Sequence, residues 1–166
     1  MLPIQTILHP TDFSQPAEWA FRLACSLAGE HDARLVVLHV APPPFYGMAL
    51  LQQDEYEGLR KELHQLQAPD LTIQLEHQLR LGDRLTQILR AAQEIQCDLI
   101  VLGSHRRSRL RRFLKRTFAE KLASRAPCPA LAVQSPYPIG ARTVAAAQTH
   151  VPFLGNRSRE LVANSH

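Results

Sequence analysis

Residues 101–117 read VLGSHRRSRLRRFLKRT, an apolar start that a single glycine, Gly103, turns into a dense run of arginine. Seven basic side chains fall between positions 106 and 116: Arg106, Arg107, Arg109, Arg111, Arg112, Lys115 and Arg116. A guanidinium presents a planar fork of N–H donors that grips phosphate or carboxylate oxygens in pairs, so the chemistry on offer is anion binding. Asp12, in PTDFS, offers the complement. An ionised carboxylate only accepts hydrogen bonds and suits a base amino group or a sugar hydroxyl, or else it holds its own turn. Nucleophilic catalysis finds little here: Ser104 and His105 are adjacent, so their side chains diverge, and there is no G-x-S-x-G elbow. His9 and His39 read as hydrogen-bonded core histidines ahead of a metal pair, and no Asp, Glu, His or Cys cluster has ligand spacing.

Something must position these groups. With 166 residues, 45% hydrophobic and 20% charged, the chain is long enough to bury a real core. The net charge of +4 is local: without the seven residues above, 12 basic face 15 acidic ones. A cationic patch on a mildly acidic body attracts nucleotides, nucleic acid or an acidic partner surface. Cys25, Cys97 and Cys128 are odd in number and far apart, which points to free thiols in a reducing compartment rather than a disulfide framework. The start, MLPIQTILHPTDFS, lacks the features of a signal peptide, and no apolar run nears the ~20 residues of a membrane helix. The expectation is a cytoplasmic protein with no membrane contact.

Apolar runs alternate with helical patterns. Ile4 to His9 reads as a strand ended by Pro10; Ser14 caps a helix from Pro16, with Trp19, Leu23 and Leu27 at four-residue steps and Ala20 and Ala24 beside them on its buried face, stopped by Gly29 and the polar EHDA. RLVVLHVA is a strand covered on both faces. A polar helix over about 52–66 follows, then a strand starting with the alternation Leu71, Ile73, Leu75 and closing at Gly82. Asp83 caps a helix with stripe Leu85, Ile88, Leu89 and Ala92; CDLIVLG is a buried strand; Thr117 and Glu120 make a capping box; PCPALAV is the last strand. Strands alternating with helices predict an α/β fold with a parallel sheet and helices on both faces. Leu110, Phe113, Leu114 and Phe118 give the basic run an apolar stripe as well. Residues 135–166, rich in proline, serine and small residues, read as a tail, docked or mobile, after a domain over 1–134.

The segments ILHPTDFS, LVVLHVAPP and CDLIVLGSHRRSRLRRFLKRTFAEKLASRAPCPALAV, with their spacing, resemble the universal stress protein family over residues 1–134. The resemblance implies a five-stranded parallel sheet with helices on both faces, a homodimer formed through the last strand (130–134), and action by binding in stress response rather than as an enzyme. Many members bind ATP through a glycine, two residues, a glycine, nine residues, then a glycine and Ser or Thr. On this chain the first glycine is Gly103, the second falls on Arg106, and the third on Arg116, followed by Thr117. Asp12 and Val40 match the positions that contact the adenosine part.

Glycine permits φ > 0 and lets backbone N–H groups approach phosphate closely, whereas arginine carries a Cβ and fills that space with its side chain. The expected site is therefore a nucleotide crevice of Asp12, Val40, Gly103 and Thr117, with Arg106 and Arg116 altering or blocking its phosphate end. No cofactor is required, and ATP or another adenine nucleotide is the candidate ligand. The alternative is a nucleotide-independent interaction protein that presents Arg106 to Arg116 to an acidic partner. Nucleic acid ranks lower: no tyrosine or tryptophan interleaves the arginines, and no helix-turn-helix or RNA-binding signature is present.

Overall fold

The computed structural model describes residues 4–43, 49–104 and 117–134, with side chains of the second helix described from residue 54 onward. Arg106, Arg116 and the rest of the basic run, together with the tail from 135, lie outside the described residues. The elements are β1 (Thr6–Thr11), α1 (Gln15–His31), β2 (Arg34–Ala41), α2 (Ala49–Gln65), β3 (Leu75–Leu81), α3 (Arg84–Glu94), β4 (Leu99–Ser104), α4 (Phe118–Ala123) and β5 (Ala130–Gln134). The five strands form one sheet in the order β3-β2-β1-β4-β5, and every neighbouring pair is parallel.

Strand residues alternate between two cores. Ile7, Leu35, Val37 and Val101 pack with Phe21 and Ala24 of α1 and Leu63 of α2. Leu8, Val36, Leu38, Ile100 and Leu102 pack with Ile88 and Ala92 of α3 and Leu122 of α4. Both faces of the three central strands are thus covered, which is why these strands read as continuous apolar runs.

Three expectations need correction. The buried face of α1 centres on Ala20 and Ala24 rather than on the stripe of Trp19, Leu23 and Leu27, of which Leu27 packs against the core from its margin. Leu23 is 36% exposed, and the buried residues are Pro16, Ala17, Ala20, Phe21, Ala24, Cys25 and Ala28. Small side chains on that face let the helix axis come close to the sheet, and proximity outweighs the hydrophobicity of the larger residues. Helix α1 runs through Gly29 and ends within EHDA as expected, at His31, with Asp32 at φ 53° making the left-handed cap. Leu71 is 97% exposed, because Asp70 accepts hydrogen bonds from the Thr72 N–H (2.9 Å) and hydroxyl (2.8 Å) and forms a turn where the alternation predicts strand.

The third correction concerns Pro10, which does not end β1 but sits inside it, paired with Leu38 of β2. Proline has no N–H to give a ladder, and a central strand ordinarily excludes it. The other side of β1 shows how it is accommodated. Pairing with β4 stops at Leu8↔Ile100, and the Val101 carbonyl beyond it takes its hydrogen bond from His9 Nδ1 (2.8 Å). A histidine ring replaces the bond that the proline cannot make.

Candidate functional site

Strand order reverses between β1 and β4, because β2 and β3 extend to one side and β5 to the other. In an open parallel sheet, that switch point is where a crevice opens beyond the carboxyl ends of the strands. At Pro10 the β1–β4 ladder has already ended. The next residues, Asp12, Phe13 and Ser14, form the turn into α1. Phe13 has φ 58°, a left-handed conformation costly for a residue with a Cβ. It is held there by the Thr11 hydroxyl, which accepts the Phe13 N–H at 3.1 Å, and by its ring against His39 at 4.6 Å between centroids.

That turn aims the Asp12 carboxylate. Oδ1 accepts from the Ser14 N–H (3.2 Å) and hydroxyl (2.5 Å), while Oδ2 accepts from Arg84, the first residue of α3, at 3.3 Å. Partial burial alone would raise the Asp12 pKa; the Ser14 bonds and the Arg84 charge outweigh it and hold the carboxyl below its usual range. Oδ2 has one long bond, so it keeps acceptor capacity. The Arg84 guanidinium also lies over the Phe118 ring at 4.5 Å, a cation–π contact. One arginine therefore links the end of β1 to the start of α4.

Val40, at the end of β2, packs in the cluster that contains Leu85 and Phe118, so it forms the apolar floor beside the Asp12–Arg84 pair. Thr117 caps α4 with both arms of the capping box: its hydroxyl accepts the Glu120 N–H (3.1 Å), and the Glu120 carboxylate accepts the Thr117 N–H (2.6 Å). Asp12 and Val40 stand at the carboxyl ends of β1 and β2, and the contact of Arg84 with Phe118 holds the Thr117 start of α4 at the same end of the sheet.

Gly103 has a separate job. It lies in β4, and a Cβ there would fall 2.5 Å from Ala17 N and from the Pro16 carbonyl carbon. The first turn of α1 rests directly on it, and the contact demands glycine whether or not anything binds above. Its φ is not left-handed; among the described glycines only Gly82 has that conformation, at 136°.

Of His9 and His39, only His9 is a core group; His39 is partly buried. His9 is fully buried and bonded to Val101, with Nε2 left without a partner, while His39 Nδ1 donates to the Thr11 carbonyl at 2.9 Å. No group of three or more His, Cys, Asp and Glu suited to a metal ion occurs among the described residues.

Comparison with known proteins gives this arrangement its family. The model described as the universal stress protein family matches residues 3–134. The chain belongs to that family. A universal stress protein of Methanocaldococcus jannaschii is 28% identical over 141 residues, covering 78% of this chain and 82% of the relative. A putative universal stress protein of Staphylococcus haemolyticus is 26% identical over 144 residues, covering 81% and 87%. Among solved structures, a universal stress protein family member from Burkholderia pseudomallei superposes with a TM-score of 0.63 at 29% identity, covering 80% of this chain and 98% of that one. A universal stress protein crystallised in complex with cAMP shares the fold at the same TM-score and 20% identity, with coverage of 80% and 98%.

Within this universal stress protein fold, sequence reasoning missed Arg84. The signal was present in GDR, where a turn glycine and a capping aspartate, whose Oδ1 accepts the Thr86 N–H at 2.9 Å, start α3 at the carboxyl end of β3. Only the strand order shows that this helix start lies over Asp12.

Proposed function

We propose that this universal stress protein acts by binding, without a chemical step, and that its crevice takes the adenosine portion of an adenine nucleotide. The observation that carries the reading is the Asp12–Arg84–Phe118 arrangement at the β1/β4 switch point: an oriented acceptor, a cation and an apolar wall where such sheets bind ligands. Asp12 Oδ2 accepts from a ribose hydroxyl or the base amino group, Val40 lies under the base, and Arg84 turns toward the phosphate. The Gly103 and Thr117 backbones bound the phosphate end. Arg106 and Arg116 stand where glycine-rich relatives have two glycines of the backbone cradle, and offer side-chain charge in its place. The fold neighbour solved with cAMP is consistent with a monophosphate. The chain works as a homodimer through β5, in the cytoplasm, and needs no cofactor for folding.

Thermal-shift titration with ATP, ADP, AMP and cAMP tests the reading. A ligand at 100 times its Kd stabilises by about 2.7 kcal/mol, enough to raise Tm by several degrees. Asp12→Asn keeps the size of the side chain but removes its charge and one acceptor, and is expected to weaken binding about tenfold. No shift with any of the four at millimolar concentration overturns the nucleotide reading. It would leave the second one, a nucleotide-independent protein using Arg106 to Arg116 on an acidic partner, which the concentration of seven of the 19 basic residues in that stretch favours.

A further inference from the structure

At the opposite end of the sheet, the sulfurs of Cys97 and Cys128 lie 3.0 Å apart across 31 residues of sequence. The backbone sets this proximity. Cys97 leaves α3 with its N–H donated to the Ala92 carbonyl (3.0 Å), and Ile100 donates to the carbonyl of Pro129, next to Cys128, also at 3.0 Å. The two cysteines thus stand where β4 and β5 begin. Cys97 is buried, Cys128 is partly open to solvent, and both are free thiols. We propose that Cys97 and Cys128 are a redox modification site, closed by a hydroperoxide into a reversible disulfide that staples the edge strand β5 to β4.

The steps balance with hydrogen peroxide as oxidant. The Cys128 thiolate attacks one peroxide oxygen, the O–O bond breaks, and the leaving hydroxide takes a proton to become water; Cys128 is then a sulfenic acid. The Cys97 sulfur attacks the Cys128 sulfur, loses its proton, and expels the hydroxyl as a second water. Two thiols and one peroxide give one disulfide and two waters. The sulfurs close by about 1 Å to reach the ~2.05 Å bond.

Burial raises the pKa of both thiols, with the nearby Asp98 carboxylate adding to it; for Cys128 the hydrogen bond from Cys97 works in the other direction. Cys128, partly open to solvent where Cys97 is buried, is the sulfur oxidised first, and with both thiols raised the reaction is slow beside that of a low-pKa sensor cysteine. The disulfide would enclose β4, the whole basic run and α4 in one loop, and a cross-link of that span constrains the unfolded chain strongly. It leaves Asp12, at the far end of the sheet, untouched, so the inference stands independently of nucleotide binding.

The test uses the full chain with millimolar hydrogen peroxide. Thiols titrated in denaturant should fall from three to one, a non-reducing peptide map should join the peptides of Cys97 and Cys128, and Tm should rise by roughly 5–10 °C. Dithiothreitol should reverse all three changes. In Cys128→Ser, neither remaining thiol should be lost to a disulfide within the chain and Tm should not rise. Persistence of three thiols, conversion of Cys128 to sulfinic acid without a link, or a disulfide only between two chains would overturn the proposal; the wild-type map decides even if the variant folds poorly.

Discussion

His9 is the residue on which acid stability turns. Its burial drives the pKa down from 6.5 to about 4, against smaller upward pulls from the Val101 carbonyl bond and the Asp12 charge. Because Val101 offers only an acceptor, the proton of the neutral ring sits on Nδ1, and Nε2 is a bare acceptor in an apolar setting. The unfolded chain protonates this ring first. Stability from His9 is therefore complete above pH 6.5, falls as the pH drops toward 4, and by then has lost about 3 kcal/mol. Asp12, whose pKa is lowered, loses its contribution with the same sign but only below the ordinary carboxylate range. Urea midpoints measured from pH 7.5 to 4 should show the decline beginning above pH 5. His9→Gln, whose amide can still donate to Val101, should remove that early part. A curve unchanged by the substitution would contradict this assignment.

At the scale of elements, the packing of α1 on β4 is set by what is missing from both. Alanines line the helix face, and Gly103 presents no Cβ to the Pro16–Ala17 backbone. The atoms it would strike are main-chain atoms near the capped start of a 17-residue helix, which cannot rotate aside. Gly103→Ala is expected to cost about 2–3 kcal/mol in chemical denaturation. It should also disturb Asp12, since the same helix turn carries Ser14. A loss below ~0.5 kcal/mol would mean that the helix shifts freely and that the close contact is not what selects glycine.

For the whole molecule, the two sheet edges differ in a way that bears on assembly. The β3 edge carries Glu76 and Arg80, paired with Arg34 and Glu94, and such charge discourages strand pairing. The β5 edge, ALAVQ, has no charge and leaves Leu131 41% exposed. That contrast supports the proposed dimer through β5. Leu131→Lys should shift the sedimentation coefficient at micromolar concentration from dimer to monomer, and a variant still dimeric would place the interface elsewhere. No helix among the described residues is long and apolar enough to cross a membrane.

Local chemistry was legible in the sequence. The caps at Ser14, Asp83 and Thr117, the buried runs of β2 and β4, and the parallel α/β class all follow from short-range patterns, because a cap or a two-sided strand is decided within a few residues. What depends on contact across the sheet was not. Which face of α1 is buried, why Pro10 can lie inside a central strand, that Arg84 meets Asp12 across 72 positions, and that Cys97 meets Cys128 were decided by tertiary structure alone. Composition and periodicity describe how a segment treats water, but only strand order brings distant segments into the same few ångströms.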